Sequence, residues 1–298
     1  MNLSGFLNLY KPPGITSHAA MVAIRRPSKA RAGHCGTLDP GAQGVLVLCL
    51  GKATRLVSFT LESDKEYRAE IAFGVGTNTF DGQGQVTAIV DAKGLTAEAV
   101  QEALAEFVGE IKQRPPSFSA IKVHGQRAYR LARRGMPVVL PERPVVAYEL
   151  QLLDFRPGHP AVGTVHVRSS KGFYVRSLAR DLGERLGLPA HLSFLLRTRV
   201  GVFKVDESVT LDEAQEAARR GELAERLTPL DAPLAHLPRV FVEGREAELV
   251  RNGAAVPWSE PLGEGPVRVY DEHGNFLALA NPLPDGQLQP SIVFAEEP

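Results

Sequence analysis

The run VLVLCL, residues 45–50, restricts the fold of this chain more than any other segment. Six consecutive apolar residues between Gly44 and Gly51 predict a buried β-strand. The run is far too short to cross a membrane. A hydrophobic content of 44% is ordinary for a globular protein and supplies enough apolar side chains for a core around this strand.

A second strand is predicted by the alternation in KEYRAEIAFGV, residues 65–75. Side chains of a strand alternate between its two faces, which places Tyr67, Ala69, Ile71 and Phe73 on one of them. A third strand, VGTVHVRSS (162–170), is followed by a turn at Lys171-Gly172.

Helices are predicted between these strands. TSHAAMVAIRR (16–26) is a helix capped by Thr16 or Ser17 and ended by Pro27. Another opens at Leu95-Thr96 and places Val100, Leu104, Phe107 and Val108 at helical spacing. FYVRSLARDLGERLG (173–187) is a third helix, and Thr210 with Glu213 forms a capping box for a fourth.

The length of 298 residues suggests about two domains, and the pattern of predicted elements changes after Pro238. FVEG, VRVYDEHGNFLALA and SIVF are short strand candidates separated by Gly and Pro, which is typical of a small β-barrel. We therefore expect a first domain over residues 1–230 and a second over 231–298, joined by a linker near residues 227–239.

Charge is unevenly distributed although the net charge is zero. Residues 231–298 hold 4 basic and 11 acidic side chains, a net charge of −7. Residues 112–143 hold eight basic side chains and one acidic one, together with Phe118 and Tyr129. Basic stretches with aromatics fit a nucleic-acid partner, because phosphate contacts dominate such affinities. A solvated charged loop is the alternative at this point.

Asp39 is the only acidic residue among the first 61, which hold seven basic ones. It lies in GHCGTLDPG, residues 33–41, where Cys35 beside His34 could suggest a thiol nucleophile. Neighbours in an extended segment point to opposite faces, so this pair makes a poor catalytic dyad. The glycines before Lys52 are seven positions apart rather than five, which excludes a phosphate-binding loop of the Walker type.

The cellular location is predicted from sequence patterns that are missing. Cys35 and Cys49 are too few for a disulfide framework, and no CxxC pair suggests zinc. The N-terminal stretch MNLSGFLNLYKPPG lacks a basic start followed by an apolar block, so no secretory signal is expected. We therefore expect a cytoplasmic protein without a membrane segment.

Five segments occurring in order resemble the TruB-type tRNA pseudouridine synthases, which isomerise the uridine at position 55 in the T-arm loop of tRNA. They are NLYKPPGITS (8–17), GHCGTLDPGAQGVLVLCLGKATR (33–55), KEYRAE (65–70), RPPSFSAIKVHGQRAYRLARRG (114–135) and GFYVRSLARDLGERLG (172–187). The resemblance implies a mixed α/β catalytic domain on a central, largely antiparallel sheet, with an RNA-gripping insertion at about 112–143. The C-terminal segment is similar in position and size to the family's PUA domain, an RNA-binding β-barrel.

The resemblance also implies roles for individual residues. Asp39 takes the place of the catalytic aspartate, Arg176 that of the arginine paired with it, and Tyr67 that of the tyrosine stacked against the target base. Lys11 and Pro12 match a pair that supports the active-site loop. Substrate-binding residues are expected at His34, Tyr174, Leu195 and Lys11, with His34 wedged into the RNA loop. RNA-binding residues of the insertion are expected at Lys122, Arg127, Arg130, Arg133 and Arg134.

Residue chemistry agrees with several of these assignments. The reaction breaks a carbon–nitrogen glycosidic bond, turns the uracil and rejoins it through carbon 5, so no cofactor or metal is expected. An ionised Asp39 could either add to the pyrimidine ring or assist its departure from the sugar, and both alternatives stay open. Arg176 lies near a helix start, where the helix dipole disfavours a cation, and a carboxylate partner would explain that placement. Taken alone, His34 and Tyr67 are more simply a loop residue and a core residue.

Three positions depart from the family pattern. Cys35 stands where the family usually has Thr or Gly, Leu196-Arg197 stands where it often has two arginines, and the C-terminal segment is strongly acidic. We therefore assign most phosphate binding to residues 1–230. The rival functions are a non-catalytic tRNA-binding or folding factor and a pseudouridine synthase that acts on another RNA. No obligatory protein partner is predicted.

Overall fold

A computed structural model describes residues 3–119, 121–123, 125–136 and 138–294, and within this part the Arg133 side chain is not described. Within the described residues the helices α1–α7 are Ser17–Ser28, Val57–Glu62, Ala97–Ala105, Ala128–Arg133, Val175–Arg185, Leu211–Arg220 and Gly244–Arg251. The strands β1–β19 are Gly5–Lys11, Ala32–His34, Gln43–Leu50, Lys65–Phe73, Val75–Thr77, Val86–Ile89, Gly109–Gln113, Lys122–Val123, Gln126–Arg127, Arg143–Arg156, Ala161–Ser169, Ala190–Val200, Phe203–Lys204, Val209–Thr210, Arg239–Val242, Val256–Pro257, Val267–Asp271, Phe276–Leu283 and Gln287–Val293.

One large sheet forms the centre of the molecule, with strand order β14-β1-β3-β12-β4-β11-β10-β7. β2 pairs with β3 and β13 with β12 at its margins. Only the pairs β1–β14 and β3–β12 are parallel in this path. The mixed α/β architecture on a largely antiparallel sheet confirms the expected fold class.

The predicted buried strand VLVLCL lies inside β3 and has both faces covered. Val45, Val47 and Cys49 pack into one apolar cluster, while their neighbours Leu46, Leu48 and Leu50 pack into another. On β4, the four residues predicted to share a face all enter a third cluster, which α3 and α5 also build. The hydrophobic pattern therefore predicted both strand faces correctly.

Two helix ends differ from the prediction. α1 does not stop at Pro27 but continues to Ser28, because proline accepts the helical φ angle and the chain leaves the helix only at Lys29, whose φ is 53°. α3 ends at Ala105, which leaves Val108 outside the helix and 46% exposed. The caps at Thr16 and Thr96 and the capping box of Thr210 with Glu213 are present as predicted.

The C-terminal segment folds into a five-stranded sheet of order β15-β17-β18-β19-β16, consistent with the small barrel that was expected. Helix α7, between β15 and β16, was not predicted. This unit has its own apolar cluster but also packs on the first domain, because Leu279 and Phe294 join the cluster of Phe6. Lys52 Nζ donates to the Phe294 carbonyl at 2.8 Å across the same junction.

No helix in the described part of the chain is long and apolar enough to cross a membrane.

Candidate active site

The loop that carries Asp39 is tied to the start of α1 and to the end of β1. Ser17 Oγ accepts from the Leu38 amide at 2.8 Å and donates to the Leu38 carbonyl at 2.9 Å. Lys11 Nζ donates to the carbonyls of Pro12 and Ile15, both at 2.8 Å, and more weakly to that of Pro40 at 3.3 Å. The two residues that flank Asp39 are therefore both held by side chains from other elements.

Arg176 grips the Asp39 carboxylate from the second position of α5. Its Nη2 donates to Asp39 Oδ1 at 3.0 Å, and its Nε lies 2.9 Å from Oδ2 as an ion-pair contact without a hydrogen bond. Nη2 also donates to the Phe118 carbonyl at 2.9 Å, and Nη1 to the Thr79 carbonyl at 3.2 Å. These partners explain how a cation only 5% exposed is held at a helix start.

The electrostatic setting of Asp39 combines opposing influences. Burial raises the pKa of its carboxyl above the ordinary 3.8, the guanidinium of Arg176 opposes that rise, and Asp81 adds to it. Asp81 Oδ2 lies 3.6 Å from Arg176 Nη1, so one guanidinium serves two carboxylates. A paired arginine favours the charged form of Asp39, the form that can act on a nucleotide.

Tyr67 lies on β4 directly opposite Arg197 of β12. Burial raises the pKa of Tyr67, and a hydrogen bond and charge from Arg197 oppose the rise, so the phenol stays protonated at neutral pH. Arg197 is 2% exposed, and it donates from Nε to the Val45 carbonyl at 2.7 Å and from Nη2 to the Gly36 carbonyl at 3.0 Å. Arg197 therefore holds the Asp39 loop and Tyr67 from their buried side.

A cavity of about 600 Å³ opens over these groups. Of the residues singled out in the sequence, the cavity lining includes Asp39, Tyr67, Tyr174, Arg176 and Leu195. A cavity of this size can hold a single nucleotide-sized group and little more. The arrangement offers an ionisable carboxylate, a phenol hydroxyl and apolar walls to one ring at a time.

Residues 25–294 match known protein families almost without a gap. Residues 25–175 match the family described as TruB family pseudouridylate synthase (N terminal domain). Residues 176–235 match the tRNA pseudouridylate synthase B C-terminal domain, and residues 238–294 match Pseudouridine synthase II TruB, C-terminal.

This chain belongs to the TruB family of pseudouridine synthases.

Relatives of similar length carry the name tRNA pseudouridine synthase B. The protein of Symbiobacterium thermophilum is 51% identical over 85% of this chain and 83% of its own. That of Geobacillus thermodenitrificans is 40% identical over 98% of this chain and 100% of its own. Among solved structures, a chain of an H/ACA RNP bound to a substrate RNA containing 2′-deoxyuridine superimposes with a TM-score of 0.72, at 27% identity over 98% of this chain and 85% of that one.

Two residues expected at the substrate surface of this TruB-family protein lie outside the cavity lining. Lys11 is fully buried with its amine on backbone carbonyls, and burial lowers its pKa to about 8. Support of the loop, rather than substrate contact, is the role that this geometry favours for Lys11. His34 ends β2, and its buried Nδ1 has no hydrogen-bond partner among the described residues. Burial, with Arg197 and His18 nearby, lowers the pKa of His34, so its ring is neutral at pH 7.

The basic insertion forms a short hairpin followed by α4. Lys122 and Arg127 face each other across β8 and β9, and Arg130 and Arg134 follow on and after α4, all four exposed. Arg130 lies 6.0 Å from the ring of Tyr129. The predicted contact at Arg133 falls on a side chain outside the described part of the structure. These four exposed side chains give the surface of the insertion a positive charge, which attracts phosphates.

Sequence reasoning missed several groups of the site. Arg143 opens β10 at the cavity mouth, exposed and without an ion-pair partner among the described residues. Lys171 and Glu62 also line the cavity, and their charged ends meet at 2.5 Å. Arg143 belongs to the basic stretch counted in the sequence, and Arg197 to the pair compared with the family pattern, whereas Asp81 gave no signal beyond its charge.

The thiol alternative does not fit this geometry. Cys35 and Cys49 are both fully buried, their sulfurs lie 2.9 Å apart, and neither lines the cavity. A group without access to the substrate cannot attack it. Among the described residues, no cluster of three or more His, Cys, Asp or Glu side chains could hold a metal ion.

Proposed function

We propose that this protein converts uridine to pseudouridine at position 55 in the T-arm loop of tRNA, without a cofactor. The observation that carries the proposal is Asp39 held by Arg176 in a nucleotide-sized cavity beside Tyr67. The bond from C1′ to N1 breaks and a bond from C1′ to C5 forms. N1 gains a proton and C5 loses one, so no oxidant, reductant or group donor is needed.

The target base must leave its stack to reach Asp39. The Asp39 carboxylate lines a cavity and is 35% exposed, so a base that turns out of its stack into the cavity can reach it, whereas a base held between its neighbours in the loop does not. In this proposal Tyr67 stacks on the flipped base with its hydroxyl near C5, while Tyr174 and Leu195 hold the ring edges. His34, neutral and at the margin of the same loop, occupies the gap that the base leaves.

Asp39 can act in either of two ways from this position. Its carboxylate can add to the pyrimidine ring, or it can assist departure of uracil from the sugar. Arg176 serves both alternatives, because a guanidinium facing both oxygens keeps the carboxylate ionised and oriented. In this proposal Tyr67 exchanges the proton at C5 in the step that restores the aromatic base.

Recognition of tRNA is assigned to the cations around the cavity. In this proposal the exposed Lys122, Arg127, Arg130 and Arg134 hold the RNA backbone, and Arg143 adds a cation in the lining of the cavity. Phosphate contacts of this kind position the RNA without reading its sequence. The acidic C-terminal unit assists docking of a distant part of tRNA through backbone and 2′-hydroxyl contacts.

Incubation with an unmodified tRNA transcript, followed by mapping of pseudouridine, tests the proposal. We expect one modified uridine, at position 55, and no modification in a transcript with cytidine at that position. Binding without any modification would favour the non-catalytic rival. Modification only in RNAs other than tRNA would favour the second rival.

A further inference from the structure

The segment at residues 113–119, which we call the strap, runs along the first turn of α5. It begins at Gln113, the last residue of β7, which is only 1% exposed. Gln113 Oε1 accepts from the Tyr174 amide at 2.9 Å, and its Nε2 donates to the Tyr174 carbonyl at 3.3 Å. One side chain therefore holds both backbone groups of a cavity residue that is 61 positions away in the chain.

Helix α5 needs such support at its start. Its N-cap residue is Tyr174, in an extended conformation, and no side chain of the helix makes a capping hydrogen bond. Most helices satisfy their first amides with Ser, Thr, Asp or Asn at this position, which an aromatic side chain cannot replace. Gln113, at the end of strand β7, satisfies another unpaired group of this turn, the amide of the N-cap residue itself.

Two further links join the strap to the same turn. The Arg114 carbonyl accepts from Ser177 Oγ at 2.8 Å. The Phe118 carbonyl accepts from Arg176 Nη2 at 2.9 Å, the nitrogen that also donates to Asp39. The strap thus touches the cap, the catalytic arginine and the residue that follows it.

The other end of the strap leads to the basic insertion. The Ser119 carbonyl accepts from the Tyr129 amide at 3.0 Å, in the first turn of α4. A continuous series of hydrogen bonds therefore connects the helix that carries Arg130 with the guanidinium that holds Asp39. Displacement of the strap would change the position of Arg176.

We propose that Gln113 is a positioning residue for the reaction, which fixes the first turn of α5 so that Arg176 and Tyr174 meet the substrate in register with the docked RNA. The inference rests on the proposed function. Without Gln113, the first turn of α5 loses both hydrogen bonds that hold its N-cap residue and frays. A shift of about 1 Å at the guanidinium breaks the contact with Asp39, and such misplacements cost about 100-fold in rate.

The test uses the full-length protein with Gln113→Met, which keeps the length of the side chain and removes both hydrogen bonds. The matched control is Gln101→Met, because Gln101 Oε1 accepts from the Leu152 amide at 2.9 Å, far from the cavity lining. We expect Gln113→Met to lower the single-turnover rate on tRNA by about 30- to 100-fold, with a tRNA dissociation constant within about threefold of the parent. Gln101→Met should match the parent in both.

A second variant and a second measurement guard against a folding defect. Ser177→Ala removes another strap contact with a small change, and we expect a rate loss of about fivefold at unchanged affinity. Hydrogen exchange at the amides of residues 174–177 should be faster in Gln113→Met than in the parent, whatever the RNA activity. A parent that modifies no tRNA would refute the proposed function. If the parent modifies tRNA and Gln113→Met reacts at the same rate, the positioning role is wrong. It is also wrong if Gln113→Met loses rate and tRNA affinity by the same factor.

Discussion

Replacing Asp39 by Asn should lower the rate of catalysis while leaving the stability and the tRNA affinity of this protein nearly unchanged. The Asn side chain keeps one oxygen for Arg176 Nη2 but loses the charge. Arg176 still holds the carbonyls of Phe118 and Thr79 and remains 3.6 Å from Asp81, so its buried cation is not left alone.

The stability change should therefore be small. A hydrogen bond to a charged group contributes about 1.5–3 kcal/mol, and the 35% exposure of Asp39 reduces that contribution. Burial, which raises the pKa of Asp39, also means that the ionised form is disfavoured in the folded state, and Asn removes that cost. We expect the free energy of unfolding to change by no more than about 1 kcal/mol.

Turnover should fall much further. If Asp39 reacts with the substrate, Asn should lower the single-turnover rate by more than about 100-fold, which corresponds to about 2.7 kcal/mol in the barrier. Affinity for tRNA should stay within about tenfold of the parent, because removal of one negative charge costs no phosphate contact. The rate effect then exceeds any plausible effect of the substitution on folding.

Release of tritium from tRNA labelled at uracil C5 measures the reaction directly, because C5 loses its hydrogen when it joins the sugar. Asp64→Asn is the control, since Asp64 pairs with Arg199 at 2.7 Å in the same domain but does not line the cavity. A folded Asp39→Asn protein that turns over above about one hundredth of the parental rate would show that Asp39 is not the reacting group.

Four further outcomes are expected. Tyr67→Phe should bind tRNA normally and turn over about tenfold or more slowly, since one hydroxyl is lost; parental turnover would leave Tyr67 a stacking residue only. Because burial raises the pKa of Asp39 above 3.8 and the ionised form reacts, single-turnover rates should fall with decreasing pH around a midpoint above 3.8, and a flat profile in folded protein contradicts this. Arg143→Ala should weaken tRNA binding and reduce the salt dependence of log K by about 0.7–0.9, and an unchanged slope excludes a phosphate contact. Deletion of residues 239–298 should lower the melting temperature, because Phe294 packs into the first domain, and should raise KM for full tRNA more than it lowers kcat. A well-folded deletion protein that loses all turnover on a short T-arm stem-loop would show that the barrel completes the active site.

Local patterns predicted the elements of the fold well. The run VLVLCL and the alternation in KEYRAEIAFGV correctly indicated buried strand faces. Successive side chains of a strand point to opposite faces, so the order of apolar residues shows which faces are buried. Caps were also predictable, since Thr210 and Glu213 are only three residues apart and satisfy each other. The end of α1 was not predicted correctly. Pro27 still lies inside the helix, and the helix ends where Lys29 adopts a left-handed conformation.

Long-range contacts could not be predicted from such patterns. Nothing near Gln113 in the chain indicates that its side-chain amide binds the backbone of Tyr174. Nothing near Arg197 indicates that its guanidinium donates to two backbone carbonyls. Both look like ordinary polar residues of a strand, and only burial gives them a specific partner.

Asp39 and Arg176 show what the sequence determined and what only the tertiary structure decided. The sequence by itself determined that a single carboxylate stands among seven cations and that an arginine stands where a helix disfavours it. Their meeting across 137 residues, with Nη2 and Oδ1 at 3.0 Å, was decided by the tertiary structure. Strand order brings the loop after β2 beside the start of α5, and burial of that junction makes an unpaired charge costly, so the two side chains pair.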